Sequence, residues 1–107
     1  MRILFDQGTP VPLRNLLGSH HKVETAFERG WSTLKNSALL TAVQQEGFEV
    51  FVTTDRNLRY QVTPGSWTIA IVVLGSTSWP RIEKAATAVK QTIDAALPGS
   101  FKEVDIP

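Results

Sequence analysis

The hydrophobic residues of this chain fall into short runs that are typical of β-strands. Residues 2–5 are apolar and end at Asp6, and residues 48–53 are aromatic and β-branched and lead on to Asp55. Residues 69–74 show no polar alternation, which is the pattern of a strand covered on both faces in a parallel sheet. Two predicted strands therefore end near a carboxylate, and a third is expected at the centre of a sheet.

Two further segments predict strands of a different kind. Residues 22–27 alternate polar and apolar side chains at a period of two, as a partly exposed edge strand does. Residues 101–105 can return to the sheet as a short last strand. The pattern thus indicates a sheet of four or five strands.

The first predicted helix follows the turn after the first strand. We expect Thr9 to cap it, because a hydroxyl can accept a hydrogen bond from an unpaired backbone N–H of the first turn. Leu13, Leu16 and Leu17 form its predicted buried stripe, and Gly18 suits its end.

Two later segments have the same helical spacing of apolar residues. Asn36 is expected to cap a helix through Glu46, and Ser78 and Pro80 are expected to open a long helix that Pro98 breaks. The apolar positions of these two helices are Leu39, Leu40, Val43, Ile82, Ala85, Ala86, Val89, Ile93 and Leu97.

The order of these elements predicts the fold class. Helices separate most of the strands, and such crossovers place helices on the faces of a parallel sheet. We therefore predict one α/β domain over residues 1–107, a three-layer sandwich with a mostly parallel sheet of four or five strands. The expected strand order is 2-1-3-4-5, because it makes the first and third strands neighbours and keeps residues 69–74 internal.

Composition and charge limit the classes of site and partner that the protein can have. The chain has 107 residues, of which 42% are hydrophobic and 20% charged, and its net charge is +1. It has no cysteine, which excludes disulfides and thiolate metal sites. Its longest apolar run is far shorter than the roughly twenty residues that span a bilayer. We expect a soluble, cytoplasmic protein with no membrane segment, whose contacts with any polyanion are local.

The two strand-terminal carboxylates are the first candidates for chemistry. Ligands of open parallel sheets bind outside the carboxyl ends of the strands, where Asp6 and Asp55 are predicted to lie. Together they could hold a divalent cation such as Mg²⁺, which activates water and stabilises the charge that develops on a phosphodiester. The alternative is that each aspartate only caps the helix or turn that follows it.

Three segments of the chain resemble the motifs of a small PIN-like domain family, similar to the VapC-type toxins and related ribonuclease-like domains. They are residues 6–10 (DQGTP), 30–40 (GWSTLKNSALL) and 53–58 (TTDRNL), in the order and with the spacing of that family. The resemblance implies cleavage of RNA with Mg²⁺ or Mn²⁺, and a role as the toxin of a toxin–antitoxin pair whose partner is a small antitoxin protein.

The same resemblance assigns roles to individual residues. Asp6 and Asp55 match the catalytic, metal-binding acids, and Asn36 and Asn57 would add oxygen ligands or orient the site. Gln7, Asn36 and Asn57 stand where the family often has acids, and each of these differences removes a negative charge. The alternative function is therefore a PIN-like binding module that has lost its chemistry and interacts with a protein partner.

Basic residues near the predicted strand ends are candidates for RNA contacts. Lys35, Arg56, Arg59 and Arg14 lie on the predicted loops of that edge or on the helix beside it, where they could meet phosphates. An ordinary solubilising surface explains them equally well.

Histidines and tryptophans are expected to have structural roles. His20 and His21 are adjacent in a polar corner and predict a solvated turn. Trp31, Trp67 and Trp79 lie at element boundaries, where closing the core is favoured over stacking on bases.

The assembly of the protein is predicted from the last helix. A flank with the small residues Ala88 and Ala95 is left for a second subunit, and this flank is narrow. We expect a monomer or a weak homodimer, because durable interfaces use larger anchors.

Overall fold

The fold consists of five short strands joined by helices. The computed structural model describes residues 1–19, 21–63 and 65–107, with the backbone but not the side chain of Asn36. The elements in these ranges are β1 (Arg2–Phe5), α1 (Leu13–Leu16), β2 (Lys22–Thr25), α2 (Asn36–Gln45), β3 (Val50–Thr53), a 3₁₀ helix (Arg56–Tyr60), β4 (Ala70–Leu74), α3 (Trp79–Lys84), α4 (Ala86–Asp94) and β5 (Phe101–Val104).

All strands of the sheet run parallel, in the order β2-β1-β3-β4-β5. This confirms the predicted α/β class and strand order, with β2 at one edge as expected. In the register of the sheet, Phe5 pairs with Thr25 on one side and with Val52 on the other. The carboxyl ends of β2, β1 and β3 are therefore neighbours at one edge of the sheet.

The core consists of two clusters of buried side chains that alternate along the strands. Phe5, Val52 and Val72 belong to the cluster that includes residues of α1, α3 and α4. Leu4, Phe51 and Ile71 belong to the cluster that includes residues of α2 and the 3₁₀ helix. Since successive residues of a strand point to opposite faces, helices cover both faces of the sheet. This arrangement is compatible with the predicted three-layer sandwich, and every residue of β4 is buried as expected.

Thr9 does not cap α1, which corrects the prediction. Its hydroxyl donates a hydrogen bond to the carbonyl oxygen of Val52, at 3.0 Å, and its side chain is buried. Pro12 occupies the position before the helix, with no side-chain capping bond. The acceptor, the Val52 carbonyl oxygen, belongs to the neighbouring strand β3, and the residues around Thr9 in the sequence do not indicate this contact.

The predicted apolar stripe of α1 is correct at two of its three positions. Leu13 and Leu17 are fully buried, whereas Leu16 is 39% exposed. Residues four apart share a helix face, and α1 is too short to bury a wider one.

Helix α2 begins one residue earlier than predicted. Asn36 is its first helical residue, and Lys35 precedes it in an extended conformation with no side-chain capping bond. The prediction that Asn36 caps the helix is therefore wrong. The predicted apolar face is buried, and the chain leaves the helix through Gly47 at a φ of +80°.

The predicted long helix over residues 80–97 is two shorter helices, α3 and α4. The break lies at Ala85, which has a φ of −100° and a ψ of 14°. Because α4 ends at Asp94, Leu97 lies beyond it and is 68% exposed rather than buried. The interior positions Ile82 and Val89 are buried as predicted.

His21 lies in a buried contact, so the prediction of a solvated turn is wrong for it. Its side chain is 3% exposed, with Nε2 at 2.5 Å from Asp94 Oδ1. The terminal ammonium group of Met1 lies 3.3 Å from Nδ1 of the same ring. His21 therefore joins the start of β2 to the end of α4. His20 is outside the described residues.

The three tryptophans are partly buried and pack against the core, as predicted. Trp31 and Trp67 contact the cluster under α2, and Trp79 contacts the other cluster. Among the helices of the described ranges, none has the length and apolar character needed to cross a membrane.

Candidate functional site

A cleft of about 230 Å³ opens at the carboxyl edge of the sheet. Asp6, which follows β1, and Asp55, which follows β3, both line it. Gln7, Ser32 and Lys35 add polar groups, and apolar residues of α2 and β3 form part of its wall. The structure thus brings the two predicted acids into one cleft, as their place at the ends of neighbouring parallel strands requires.

Backbone pairing fixes the position of Asp6. Its N–H donates to the carbonyl oxygen of Val52 at 2.9 Å, which continues the ladder between β1 and β3 for one residue beyond β1. Asp55 follows two residues after Thr53, the last residue of β3. Both acids therefore lie within two residues of the ends of paired strands.

Thr53 connects the two acids, and sequence reasoning gave it no role of its own. Its hydroxyl donates to Asp6 Oδ2 at 2.8 Å and accepts a hydrogen bond from the backbone N–H of Asp55 at 3.1 Å. The side chain is fully buried. The signal in the sequence was a threonine at the end of an otherwise apolar strand, two residues before an acid.

Each carboxylate also accepts a backbone hydrogen bond. Asp6 Oδ1 receives the N–H of Gln7 at 2.8 Å, and Asp55 Oδ1 receives the N–H of Asn57 at 3.0 Å. Asp55 therefore caps the 3₁₀ helix, which is the alternative role considered for it. A carboxylate has about four lone-pair sites, so this role leaves acceptor capacity toward the cleft.

Asn57, one of the two predicted auxiliary ligands, lies outside the cleft. Asn57 is exposed, and it is not among the residues that line the cleft. The side chain of Asn36 lies outside the described part of the chain.

Two of the four predicted basic residues lie near the acids. Lys35 is exposed at the cleft. Arg14 lines an adjoining pocket and forms two hydrogen bonds with Glu28, at 2.9 and 3.3 Å. The Arg14 hydrogen bonds, and then one from the Thr25 backbone, lower the pKa of Glu28 below its usual value. Much of the positive charge of Arg14 is therefore matched locally.

The other two basic residues lie toward β4 and β5. Arg59 is 3.4 Å from Glu103, and its guanidinium lies 4.9 Å from the centre of the Tyr60 ring. Arg56 lines a separate pocket with Glu103 and Asp105. They are on the same edge of the sheet as the cleft but outside it.

The donor set of the cleft fits a divalent cation that binds together with its substrate. Within the described ranges, no three acidic or histidine side chains come together to hold a metal ion. Mg²⁺ commonly takes one or two protein carboxylates and completes its coordination with waters and substrate phosphates. Asp6 and Asp55 both line the cleft and can supply those two carboxylates.

Comparisons of the chain with protein-family models, with curated proteins and with solved structures find no match. Its function is therefore inferred from the chemistry of the cleft together with the sequence motifs.

Proposed function

We propose that the protein is a metal-dependent ribonuclease that cleaves RNA in the cleft between Asp6 and Asp55. The observation that carries the proposal is the pair of partly exposed carboxylates in one cleft, joined through the buried hydroxyl of Thr53. Metal-dependent hydrolysis of a phosphodiester requires a cation held close to an accessible substrate, and two carboxylates at the carboxyl ends of neighbouring strands can hold one.

Each residue of the cleft has a distinct part in this proposal. Asp6 and Asp55 are the metal ligands and so the catalytic residues, and Thr53 is a positioning residue that orients the Asp6 carboxylate. Lys35 offers a positive charge to a phosphate that enters the cleft. When bound, Mg²⁺ or Mn²⁺ would supply an activated water and stabilise negative charge on the phosphodiester.

RNA is the proposed substrate because three segments of the chain resemble the VapC-type toxins and their relatives. On the same basis we propose a cytoplasmic toxin whose partner is a small antitoxin protein. Induced expression of the protein in a bacterial host should then arrest growth, and expression of the Asp55→Asn variant should not. Normal growth on induction of soluble wild-type protein would contradict the toxin role.

The nuclease activity is tested by cleavage of labelled single-stranded RNA. Asp6→Asn and Asp55→Asn remove one charge each while keeping an oxygen acceptor for the backbone bonds that the aspartates accept. We expect Mg²⁺ or Mn²⁺ to support cleavage by the wild type. The cleavage rate of each variant should be lower by about a hundredfold or more, since bound metal contributes several kcal/mol to such reactions.

The matched control is Glu83→Gln, an exposed residue of α3 outside the cleft. It should cleave RNA as the wild type does. Full activity in both aspartate variants would assign the cleavage to another site or to a contaminant.

A binding module without catalysis is the second candidate. It is favoured because, within the described part of the chain, two carboxylates line the cleft and both already accept backbone hydrogen bonds. Calorimetric titration with Mn²⁺ separates the two candidates. Micromolar binding that is lost in Asp55→Asn supports the nuclease, whereas no binding by the wild type supports the module.

For the assembly we propose a monomer or a weak homodimer. Ala88 of α4 and Ala95, which directly follows this helix, are exposed on the flank that was expected to be available to a second copy. Light scattering over a concentration series should show monomer mass at low concentration. A dimer that persists to nanomolar concentration would contradict this.

A further inference from the structure

A second pocket, of about 340 Å³, adjoins the cleft at Asp6 and Gln7, which line both. Most of its exposed surface is apolar, and Val11 and Phe27 are its hydrophobic lining residues. Thr9, Arg14, Thr25 and Glu28 line the rest of it. A chain molecule that lies across Asp6 and Gln7 would therefore enter both the cleft and this pocket.

The register of the sheet places Phe27 at this pocket. Phe5 pairs with Thr25, and the N–H of Ala26 donates to the carbonyl oxygen of Phe5 at 2.9 Å. Phe27 is the next residue, so it lies just beyond the end of β2 at the same edge as Gln7. Its ring is 75% exposed, although it belongs to the residue types that are most often buried.

An ordered turn carries the exposed ring. Thr25 and Glu28 exchange backbone-to-side-chain hydrogen bonds of 2.9 and 3.0 Å across it. The N–H of Gly30 donates to the carbonyl oxygen of Phe27 at 3.0 Å, and Gly30 has a φ of +74°. A stacking surface on an ordered turn loses little conformational freedom when a ligand binds.

Val11 makes the apolar surface larger than one side chain. It is 53% exposed, comes from the turn before α1 and lines the same pocket as Phe27. Single exposed apolar residues are normal on protein surfaces. Two that line one pocket beside a candidate active site need a further explanation.

The charges of this pocket favour a base over a phosphate. Arg14 is paired with Glu28, so the charge that remains beside the apolar wall is the negative one of Asp6. Lys35, by contrast, lies in the adjoining cleft. A nucleobase offers a flat face to an aromatic ring, and polar edges that the amide of Gln7 can meet.

We propose that Phe27 and Val11 form a base-stacking subsite for single-stranded nucleic acid, next to the cleft. The proposal rests on the proposed function for RNA as the ligand, but the subsite needs neither metal nor catalysis. The base held there belongs to a nucleotide adjacent to the phosphate in the cleft. Duplex RNA would bind poorly, because its bases are already stacked on each other.

The test measures the binding of a labelled single-stranded RNA by fluorescence anisotropy, without divalent metal. All variants are made on Asp55→Asn, which prevents cleavage and does not line this pocket. Phe27→Ala should weaken binding on the order of tenfold, and Phe27→Trp should retain it, because base–aromatic stacking accounts for differences of this size.

Two controls separate stacking from general hydrophobicity. Phe27→Leu keeps an apolar side chain but removes the ring, and it should weaken binding almost as much as Phe27→Ala. Leu97→Ala removes a comparably exposed apolar side chain that is outside both pockets, and it should have no effect.

Several outcomes would overturn the subsite. They are wild-type binding by Phe27→Ala, no RNA binding by the parent protein, and equal binding of duplex RNA. Wild-type affinity in Phe27→Leu would also overturn it and would point to an apolar docking surface for a protein. The nuclease proposal is judged separately, since RNA binding that depends on Phe27 can persist when no RNA is cleaved.

Discussion

The hydroxyl of Thr53, the last residue of β3, donates to the carboxylate of Asp6, the first residue after β1, at 2.8 Å. Its oxygen also accepts the N–H of Asp55 at 3.1 Å, so one buried side chain contacts both candidate metal ligands. An uncharged residue in the wall of the cleft therefore links the two acids.

Thr53→Val is predicted to disturb the site while conserving side-chain volume. The N–H of Asp55 loses its acceptor and Asp6 Oδ2 loses a donor, and an unsatisfied buried group costs about 1–3 kcal/mol. Urea unfolding should show a stability loss in this range, and Mn²⁺ affinity should fall. Thr33→Val, at an exposed position, should stay within about 0.5 kcal/mol of the wild type. Unchanged stability and affinity in Thr53→Val would remove the positioning role.

The turn after β1 passes very close to Thr54. A Cβ atom on Gly8 would lie 2.8 Å from Thr54 Oγ1, nearer than such contacts normally occur. Gly8→Ala is predicted to lower the free energy of unfolding by about 1–3 kcal/mol, as overpacking does. Adding Thr54→Ala should recover most of that loss, because it removes the crowded oxygen. Urea unfolding of the four proteins of this cycle measures the coupling, and additive effects would show that the crowding is relieved elsewhere.

The contact between His21 and Asp94 predicts a dependence of stability on pH. Hydrogen bonds from His21, and secondly from Lys90, lower the pKa of Asp94 from 3.8 to about 2. The ionised carboxylate is favoured in the folded state, so its contribution is complete above pH 3.8 and is lost as the pH falls through about 2. Asp94→Asn should therefore be less stable than the wild type at neutral pH.

The difference in stability between Asp94→Asn and the wild type should become smaller between pH 4 and pH 2, as measured by thermal unfolding. Glu83→Gln, at an exposed carboxylate of α3, controls for the general effect of removing a negative charge. A gap for Asp94→Asn that stays constant down to pH 2 would contradict the assigned cause of the pKa shift.

Two leucines of α1 provide a matched pair for the packing of this helix. Leu13 is fully buried and Leu16 is 39% exposed. Leu13→Ala should cost about 2–5 kcal/mol, because it removes buried methyl groups and leaves a cavity. Leu16→Ala should cost much less by urea unfolding. Similar losses for the two variants would mean that α1 packs differently from the arrangement described.

The fold could be predicted because its strands have strong and distinct patterns. Residues 69–74 form an unbroken apolar run, which is typical of a strand covered on both faces, and helical segments separate most of the other strands. Those two features favour a parallel sheet. The adjacency of β1 and β3 then places Asp6 and Asp55 at the same cleft, so this part of the candidate site also follows from the sequence.

The features that could not be predicted depend on partners far away in the chain. Thr9 donates to Val52, 43 residues later, rather than capping the helix beside it. His21 is buried against Asp94, 73 residues later. Local pattern identifies residues that need partners, and the tertiary fold decides which partners they find.

Helix length was the other source of error. The periodicity of apolar residues identifies which residues share one face of a helix, but it does not determine where the helix ends. Leu97 fits the apolar stripe of α4 and still lies outside the core, because the helix ends at Asp94. In the same way, Asn57 fits a ligand motif, yet its backbone binds Asp55 and its side chain remains exposed.

The fully apolar strand β4 also determines how this protein would aggregate. Residues 69–74 have no charge, no proline and many β-branched side chains, which is the composition of segments that stack into amyloid-like fibrils. In the native sheet β3 and β5 cover both of its hydrogen-bonding edges. Strand β5 presents the exposed charges of Lys102 and Glu103 at the sheet edge, where charged residues discourage pairing with another chain. Detachment of β5 would therefore uncover the segment most prone to fibril formation, and the resistance of the protein to aggregation depends on how firmly its last strand is held.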